Sequence, residues 1–455
     1  MNKLLVVAAF GVVVSLIACS DDSSSNAVGS GGSTQLDKKT VVSCDRVMTV
    51  AGMELHSCHA IAADDAAVAS FKAKCAPLSD LDKYTSPELM RMLADSEYGR
   101  TPKAKVKVRY EVVAENRQAL NGKATQQQVL FTFSGQGREV KALALVYIPN
   151  HLSGPQQKQR SRVPVFIGYN FPGNHAITDD PAVRFSPFFE RLNIDDALLQ
   201  RARGMSRWPL SMIIERGYAV VTMCYNDIFP DNADGARQSV LTLFPENTDG
   251  DARWQALGAW AWGSSRIADW VCRQRWADAH KLAIIGHSRQ GKAALWAGAQ
   301  DTRFEVVISN ESGCGGAALS KREFGERVGR ITSSFPHWFC PAFTRYSGRE
   351  QELPFDQHQL LALVAPRHLY VASAEGDQWS DPRGEYLAAY YASPVYALYG
   401  LRGLPSPSMP AIHQPIHNDI AYHIRAGRHD VTDYDWIQYM DYCDSVFGYG
   451  SHAGK

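Results

Sequence analysis

Two patterns of apolar and polar residues follow one another along the chain. Residues 105–114 and 128–133 alternate between apolar and polar, which predicts antiparallel strands with one face toward water. Further on, short apolar runs such as 282–285 predict strands that are buried on both faces of a sheet. Helical patterns lie between these later strands, and the longest covers 256–273. The other predicted strands are 140–148, 163–169, 217–224, 304–309 and 367–373.

This order of elements indicates the fold class. Antiparallel strands followed by strands that alternate with helices favour a mixed, mostly parallel sheet with helices on both faces. That three-layer αβα sandwich is the arrangement of an α/β-hydrolase, which we predict for residues 101–455. Residues 43–100 form a small cysteine-containing segment, with a strand expected at 46–50 and a helix at 62–74. This segment is either a module of its own or an extension of the main fold.

Composition excludes some classes of protein. Of the 455 residues, 45% are hydrophobic and 21% are charged, as in an ordinary soluble globular protein. The 47 basic and 47 acidic residues cancel, and the sequence has no long basic tract. Nucleic acid and anionic membrane surfaces are therefore poor candidates for partners.

The N-terminus has the pattern of an export signal. The apolar run at 4–18 is too short to span a membrane and is typical of a signal-peptide core. It ends in Leu-Ile-Ala-Cys19, which resembles a bacterial lipobox, so residues 1–19 are predicted to be a lipoprotein signal with Cys19 as the lipidated residue. Ser20 favours the outer membrane or cell surface. Residues 20–42 form a flexible Ser/Gly linker. An ordinary secretory signal is the alternative, and both imply export.

Export places the cysteines in an oxidising compartment, where disulfides persist. Eight remain after the lipidated one, an even number that suits disulfides without revealing their pairing. At least one bridge is expected among Cys44, Cys58 and Cys75, whereas buried free thiols are the alternative for Cys224 and Cys272. No pair has zinc-finger spacing, so we expect no structural zinc site.

The strand at 282–285 leads into a turn that could hold a nucleophile. Gly286-His-Ser288 lies between this strand and a helix predicted at 293–297. Strand, glycine, serine and helix form the pattern of a nucleophile elbow, in which the serine hydroxyl projects above the sheet. The usual G-x-S-x-G form is altered, because Gln290 holds the second glycine position and the glycine follows at Gly291. Taken alone, the turn is weak evidence for a hydrolase.

The rest of a catalytic triad follows in the order serine, acid, histidine. Glu311 comes after the strand at 304–309, and Asp377 comes after the strand at 367–373. His429 lies in a Gly-Arg-His-Asp turn before the last helix. A serine needs a base within hydrogen-bond reach, and that base needs a carboxylate that fixes its tautomer. We expect the other acids nearby, Glu375 and Asp381, to be capping residues. We expect His413, His417 and His423 to be surface or loop-packing residues. His287 should be structural and should point away from Ser288, because neighbouring residues of a strand point to opposite faces.

These residues resemble the motifs of a known family. Gly286-His-Ser-Arg-Gln-Gly-Lys292 is similar to the G-C-S-R-N-G-K signature of the glucuronoyl esterases, carbohydrate esterase family 15, with bacterial-type features. The likeness covers about 110–447 and is strongest after Arg253. It extends through 311–316, 325–326, 336–339, 376–379 and 427–430. Fungal members carry cysteines at the places of His287 and Asp430, so their disulfide between these two loops is absent here.

The resemblance implies catalytic roles by position. Ser288 is the nucleophile, His429 is the base, and Glu311 or Asp377, or both, support the base. Arg289 would place its backbone N–H and its guanidinium at the oxyanion, where a charged donor stabilises the tetrahedral intermediate. The family requires no metal and no cofactor.

Four further residues would bind the substrate. Lys292 and Glu326 would hydrogen-bond sugar hydroxyls, Trp379 would cover the sugar ring, and Trp338 would add to the binding surface. Each has an ordinary structural alternative, as a solvated helix charge or as a core aromatic residue. Their joint occurrence in the right order favours the functional interpretation.

The implied function is hydrolysis of esters of 4-O-methyl-glucuronic acid, the acidic side group of glucuronoxylan, with a lignin alcohol or a methyl group. An acetyl-xylan esterase or another carbohydrate esterase is the alternative within enzymes. A non-catalytic polysaccharide-binding surface lipoprotein is the alternative from another class. We expect a monomer that contacts the membrane only through its N-terminal lipid anchor.

Overall fold

The structure is a computed structural model, and it describes residues 48–50, 53–55, 88–150, 162–192, 200–246 and 250–449. Several predictions lie outside these residues. They are the signal segment 1–19 with Cys19, the linker 20–42, the bridge among Cys44, Cys58 and Cys75, and the helix at 62–74.

A mixed sheet lies at the centre of the described part of the chain. The strands are β1 (Met48–Val50), β2 (Met53–Leu55), β3 (Lys107–Ala119), β4 (Ala124–Gly135), β5 (Arg138–Pro149), β6 (Val163–Asn170), β7 (Ala219–Cys224), β8 (Ala277–His287), β9 (Phe304–Asn310), β10 (His368–Ala374), β11 (Ile416–His417) and β12 (Ile420–Arg425). Strands β1 and β2 form a separate antiparallel pair, and the other ten follow the order β11-β12-β10-β9-β8-β6-β7-β5-β4-β3. Neighbours from β12 to β7 in this order are parallel, and the remaining pairs are antiparallel. The predicted mixed sheet is confirmed.

Helices cover both faces of this sheet. The α-helices are α1 (Leu89–Leu93), α2 (Pro187–Leu192), α3 (Leu210–Glu215), α4 (Ala256–Val271), α5 (Arg289–Gln300), α6 (Val328–Ser334), α7 (Gln357–Ala362), α8 (Pro382–Leu398) and α9 (Asp433–Phe447). Successive side chains of a strand point to opposite faces. Val165 and Ile167 of β6 accordingly join the core formed with α4, α5 and α8, whereas Phe166 joins the core formed with α3 and α9. The three-layer α/β-hydrolase architecture is confirmed. No helix in the described ranges is both long and apolar enough to cross a bilayer.

Residues 88–100, which we assigned to the N-terminal segment, pack into the core of the main domain. Leu89, Leu93 and Tyr98 are fully buried there. The Tyr98 ring stacks on Trp296 of α5 with the ring centroids 4.7 Å apart. This segment therefore supports the helix that follows the predicted nucleophile.

The sequence analysis missed the short strands β2 and β11 and the longer strand β12. Strand β12 pairs in parallel with β10, and its six residues are buried. His423, predicted to be a surface or loop-packing residue, lies on this strand in the core, with Nε2 2.8 Å from Oδ1 of Asp435. The prediction for His423 was wrong because a continuous strand, Ile-Ala-Tyr-His-Ile-Arg, follows directly on the proline-rich loop.

The cysteines of the described ranges are free thiols. Cys224 is buried on β7, and Cys272 is half-buried directly after α4. Both are free thiols, so the alternative to a disulfide is confirmed for these two cysteines. The remaining described cysteines, also free, are Cys314, Cys340 and Cys443.

Candidate active site

Ser288 lies at the junction of β8 and α5 in an uncommon backbone conformation. Its φ is 56° and its ψ is −129°, a region that non-glycine residues seldom adopt. Its N–H donates to the carbonyl of Asn310 at 2.9 Å, and its own carbonyl accepts from the N–H of Gly291 at 2.8 Å. Ser288 is half-buried, next to the buried first turn of α5. This is the geometry of a nucleophile elbow.

Two glycines allow the close packing around this turn. A Cβ atom on Gly286 would overlap the carbonyl oxygen of Gln290. A Cβ atom on Gly291 would lie 2.9 Å from Cβ of Ser312, which is closer than real side chains pack. Gly286 and Gly291 therefore lie at the two points of this turn where there is no room for a Cβ atom.

The candidate triad residues follow three neighbouring strands. Ser288 follows β8, Glu311 follows β9 and Asp377 follows β10 after a short turn, and these strands are parallel. Parallel strands present their carboxyl ends at one edge of a sheet, which is where ligands bind in α/β folds. His429 reaches this edge from the loop between β12 and α9. Glu311 has a positive φ of 47°, and its N–H donates to the carbonyl of Ala372 at 2.8 Å.

Two carboxylates contact the same ring nitrogen of His429. Nδ1 lies 2.6 Å from Oδ2 of Asp377 and 3.2 Å from Oε2 of Glu311. Burial acts to lower the pKa of His429, but the hydrogen bonds to Asp377 and Glu311 outweigh it and raise the pKa to about 10. Two acceptors at Nδ1 keep the proton on that nitrogen, so Nε2 is the atom that can exchange a proton with a nucleophile.

The two carboxylates have different environments. Burial raises the pKa of Glu311 to about 8, against the opposing effects of His429 and Arg425. Burial also acts to raise the pKa of Asp377, but its hydrogen bond with His429 outweighs burial and lowers the pKa. Glu311 accepts from Nη2 of Arg425 at 2.5 Å and from the N–H of Asp430 at 3.0 Å. The direction of the pKa shift thus favours the ionised form of Asp377 beside His429, and Glu311 is a buried acceptor held by Arg425 and Asp430.

The ring of His287 lies against the ring of His429. The two ring centroids are 4.5 Å apart. His287 is the last residue of β8, and its side chain packs against the loop residue His429. Nδ1 of His287 lies 2.5 Å from Oδ1 of Asn310. Burial, with a further effect of His429, lowers the pKa of His287, which keeps the ring neutral.

Arg289, directly after the nucleophile, has a buried guanidinium with a fixed partner. Nη1 donates to Oδ2 of Asp231. Cζ lies 4.6 Å from the centroid of Trp338 and 5.4 Å from that of Phe335. Trp338 is only 3% exposed and donates its indole N–H to Oδ1 of Asp231 at 2.7 Å. Trp338 therefore contacts both Arg289 and Asp231. The sequence contained no signal that pointed to Asp231.

The other predicted binding residues form a second group beside the elbow. Lys292 is buried, and its ammonium donates to the carbonyl of Ser312. Burial lowers the pKa of Lys292, while Glu326 acts in the opposite direction. Glu326 is half-buried, and its pKa is raised by burial against the effect of Lys292. Its carboxylate accepts a hydrogen bond from Trp379, and its N–H donates to the Trp379 carbonyl at 2.8 Å. All three residues predicted to hold a sugar therefore lie together.

The rival acids and further histidines have other partners. Asp381 caps α8, as predicted, with its side chain accepting from the N–H of Gly384 at 3.0 Å. Glu375 follows β10 and donates its backbone N–H to the carbonyl of Arg425 at 2.8 Å. Nε2 of His413 accepts from the N–H of Ala426 at 3.2 Å. Nε2 of His417 lies 3.3 Å from the hydroxyl of Tyr370.

A supporting pair was missed by the sequence analysis. Arg425, which donates to Glu311, also donates from Nε to Oδ2 of Asp435 at 2.8 Å. Asp435 forms a capping box with Thr432 at the start of α9. The Thr-x-x-Asp spacing could have identified the cap, but nothing in the sequence pattern singles out Arg425.

Three side chains of the site could in principle share a metal ion. Ligand atoms of His287, Glu311 and His429 lie within 4.8 Å of one another. Each is engaged by a protein group, which is Asn310 for His287, Arg425 for Glu311 and Asp377 for His429. His429 with its two carboxylates lies at the same strand edge as Ser288, and a serine, a histidine and a carboxylate are the groups that catalyse acyl transfer.

The chain matches known proteins over this domain. A family model described as glucuronyl esterase, fungi, matches residues 203–400. A curated carbohydrate esterase from an unknown prokaryotic organism is 39% identical over 367 residues, which are 78% of this chain and 83% of the relative. The 4-O-methyl-glucuronoyl methylesterase 1 of Wolfiporia cocos (strain MD-104) is 35% identical over 210 residues, 43% of this chain and 51% of that protein.

A solved structure agrees over a wider range. The glucuronoyl esterase from Solibacter usitatus is 43% identical and has a TM-score of 0.72. The match covers 80% of this chain and 92% of that chain.

Proposed function

The chain belongs to the glucuronoyl esterases, carbohydrate esterase family 15, and we propose that it hydrolyses esters of 4-O-methyl-glucuronic acid through Ser288. The family makes it a carboxylic ester hydrolase. The acid part of the substrate follows from the Wolfiporia cocos relative, which is named for this methyl ester. The natural substrate that we propose is the ester link between glucuronoxylan and a lignin alcohol.

The observation that carries the proposal is the contact of Asp377 and Glu311 with Nδ1 of His429, at the strand edge where Ser288 lies. Nε2 of His429 takes the proton of Ser288 Oγ as this oxygen attacks the C6 carbonyl of the uronate. Arg289 stabilises the oxyanion of the tetrahedral intermediate. His429 then gives the proton to the leaving alcohol, and an acyl-enzyme remains on Ser288.

The second half of the reaction uses the same groups. His429 takes a proton from water, which attacks the acyl carbonyl. Collapse of the second intermediate returns the proton to Ser288 Oγ and releases glucuronate. Asp377 stabilises the imidazolium in both halves because it is the ionised partner at Nδ1.

The sugar side of the substrate is assigned to the group of Lys292, Glu326 and Trp379. An ammonium and a carboxylate can each hydrogen-bond sugar hydroxyls, and an indole ring can cover a sugar face. Their contacts with one another and with the Ser312 carbonyl support a preformed site on the acyl side. An acetyl ester has no sugar at that position, which favours a uronate ester over the acetyl-xylan alternative.

Hydrolysis of two substrates tests this proposal. The purified protein should cleave methyl or benzyl glucuronate with a kcat/KM at least about 10²-fold above that for acetylated xylan, since hydrogen bonds to charged groups on the acyl side contribute about 1.5–3 kcal/mol each. Preference for acetylated xylan would overturn the uronate assignment. Failure of a fluorophosphonate probe to label Ser288 would instead favour the non-catalytic polysaccharide-binding alternative.

We also propose that the protein is exported and attached to the outer membrane or cell surface through Cys19, and that it is a monomer. The support is the lipobox-like end of the apolar run. Labelled fatty acid should be incorporated into the wild type but not into a Cys19→Ser variant. A secreted wild-type protein without label would favour the secretory alternative, and light scattering tests the monomer.

A further inference from the structure

Asp231 is a buried carboxylate with a full set of donors. Oδ1 accepts from Nε2 of His337 and from the indole N–H of Trp338, both at 2.7 Å. Oδ2 accepts from the hydroxyl of Tyr225 at 2.9 Å and from Nη1 of Arg289. A carboxylate has about four lone-pair sites, and all four are used here.

The ion pair with Asp231 and two aromatic rings together restrain the guanidinium of Arg289. The side chain of Asp231 is 5% exposed and that of Arg289 is 9% exposed, so water competes little for the ion pair. The rings of Trp338 and Phe335 stack with centroids 3.8 Å apart, and both lie within 5.4 Å of the guanidinium carbon. A guanidinium is a rigid plane of five N–H groups, so a fixed Nη1 also fixes the direction of the other donors.

The charge of Asp231 suits this contact. Burial acts to raise its pKa, but the positive charge of Arg289 and the hydrogen bond from His337 outweigh burial and hold the pKa far below the usual range. Arg289 and His337 therefore favour the ionised form of this carboxylate. Arg289 then has a constant counter-charge that does not depend on the substrate.

We propose that Asp231 is a positioning residue for the esterase reaction, which holds the Arg289 guanidinium at the place where the oxyanion develops. The inference rests on the proposed function and extends it to a residue that touches no reacting atom. Donors that are fixed before the reaction stabilise a transition state without reorganising during it. Without Asp231, the guanidinium would keep its aromatic neighbours but lose the ion pair that fixes Nη1.

A matched control lies four residues earlier in the chain. Asp227 is also fully buried, and it accepts from the backbone N–H groups of Leu143 at 3.0 Å and Phe188 at 2.8 Å. Burial raises the pKa of Asp227 to about 7. Asp227→Asn therefore makes the same chemical change in the same segment as Asp231→Asn. The carboxyl that it alters accepts from backbone N–H groups and not from Arg289.

A double-mutant cycle tests the inference, with methyl glucuronate as substrate and active sites counted by fluorophosphonate labelling. Asp231→Asn should lower kcat about 10- to 100-fold with little change in KM, since one oxyanion donor is worth about 10²–10³ in kcat. In an Arg289→Ala background, Asp231→Asn should cause no further loss. Asp227→Asn should retain kcat per active site.

Other results would overturn the inference. An equal loss from Asp231→Asn with and without Arg289 would mean that Asp231 acts only on the fold, and an unchanged kcat would exclude positioning. If Asp231→Asn does not fold, Tyr225→Phe removes a single donor from Oδ2 and should lower kcat about threefold, again only when Arg289 is present. An unchanged kcat in that variant would count against the proposal. A wild type without activity on glucuronate esters would refute the proposed function instead.

Discussion

Oδ2 of Asp377 lies 2.6 Å from Nδ1 of His429, whereas Oε2 of Glu311 lies 3.2 Å from the same atom. The sequence left both carboxylates as candidates for the triad acid. From the shorter contact and the lowered pKa of Asp377, we predict that Asp377 is the charged partner of the imidazole. Glu311 is held by Arg425 and has a raised pKa, which suits a support of the loop.

Substitution of the two acids should therefore have unequal effects. We expect Asp377→Asn to lower kcat by about 10²–10⁴, because the imidazolium loses its counter-charge. Glu311→Gln should cost about tenfold or less, because Asp377 still supplies the counter-charge at Nδ1 of His429 and glutamine keeps one carbonyl oxygen that can accept from Arg425. Steady-state rates on benzyl glucuronate check this prediction. A larger loss from Glu311→Gln would assign the acid to Glu311.

The pH dependence of kcat/KM should reveal the charge on His429. The base must be neutral, so the rate rises as pH increases through its pKa, which Asp377 and Glu311 raise to about 10. Asp377→Asn removes a group that stabilises the protonated form. The pKa should therefore fall, and the acid limb of the profile should move to lower pH while the maximum rate decreases. A limb that stays in place or moves to higher pH would contradict the assigned contact.

The elbow should tolerate no side chain at position 286. Gly286→Ala would place Cβ onto the carbonyl oxygen of Gln290, so we expect a loss of about 3 kcal/mol or more in the free energy of unfolding. Gly291→Ala meets a side-chain atom, Cβ of Ser312, at 2.9 Å and should cost about 1–2 kcal/mol. Denaturant unfolding measures both. Equal stability of the wild type and Gly286→Ala would show that this turn differs from the structure.

Loss of the Lys292 charge should affect sugar-containing substrates selectively. Lys292→Met keeps most of the buried volume but removes the ammonium beside Ser312 and Glu326. We expect kcat/KM for methyl glucuronate to fall about 10- to 100-fold, as for loss of a hydrogen bond to a charged group. Hydrolysis of p-nitrophenyl acetate, which has no sugar, is the control and should change little. Equal losses on both esters would assign Lys292 to the support of the Ser312 loop.

Much of the fold could be predicted because the signals were local. The alternation at 128–133 and the apolar run at 282–285 each reflect burial on one or both faces of a strand, and both lie inside the strands found. The strand Ile420–Arg425 was missed because it follows closely on a proline-rich loop, and the sequence does not mark where that loop ends. Residues 88–100 gave no sign of their burial, since Tyr98 packs on Trp296, almost 200 positions later.

The site was predictable to the extent that its residues follow strands. Ser288, Glu311 and Asp377 each come directly or shortly after an apolar run, so their order and edge could be inferred. Asp231 and Arg425 act through long-range ion pairs, with Arg289 and Glu311 respectively, and no spacing links such partners. The contact between His287 and His429 joins the end of β8 to a loop about 140 positions later, which an alternation rule along one strand does not include.

The central claim is that Ser288 attacks a glucuronate ester, and hydrolysis of methyl glucuronate by Ser288→Ala tests it most directly. The variant removes only Oγ, so its circular dichroism and melting temperature should match the wild type. We predict that kcat falls by at least about 10³, because no acyl-enzyme can form without the nucleophile. A folded Ser288→Ala protein that cleaves the ester at close to the wild-type rate would contradict the account.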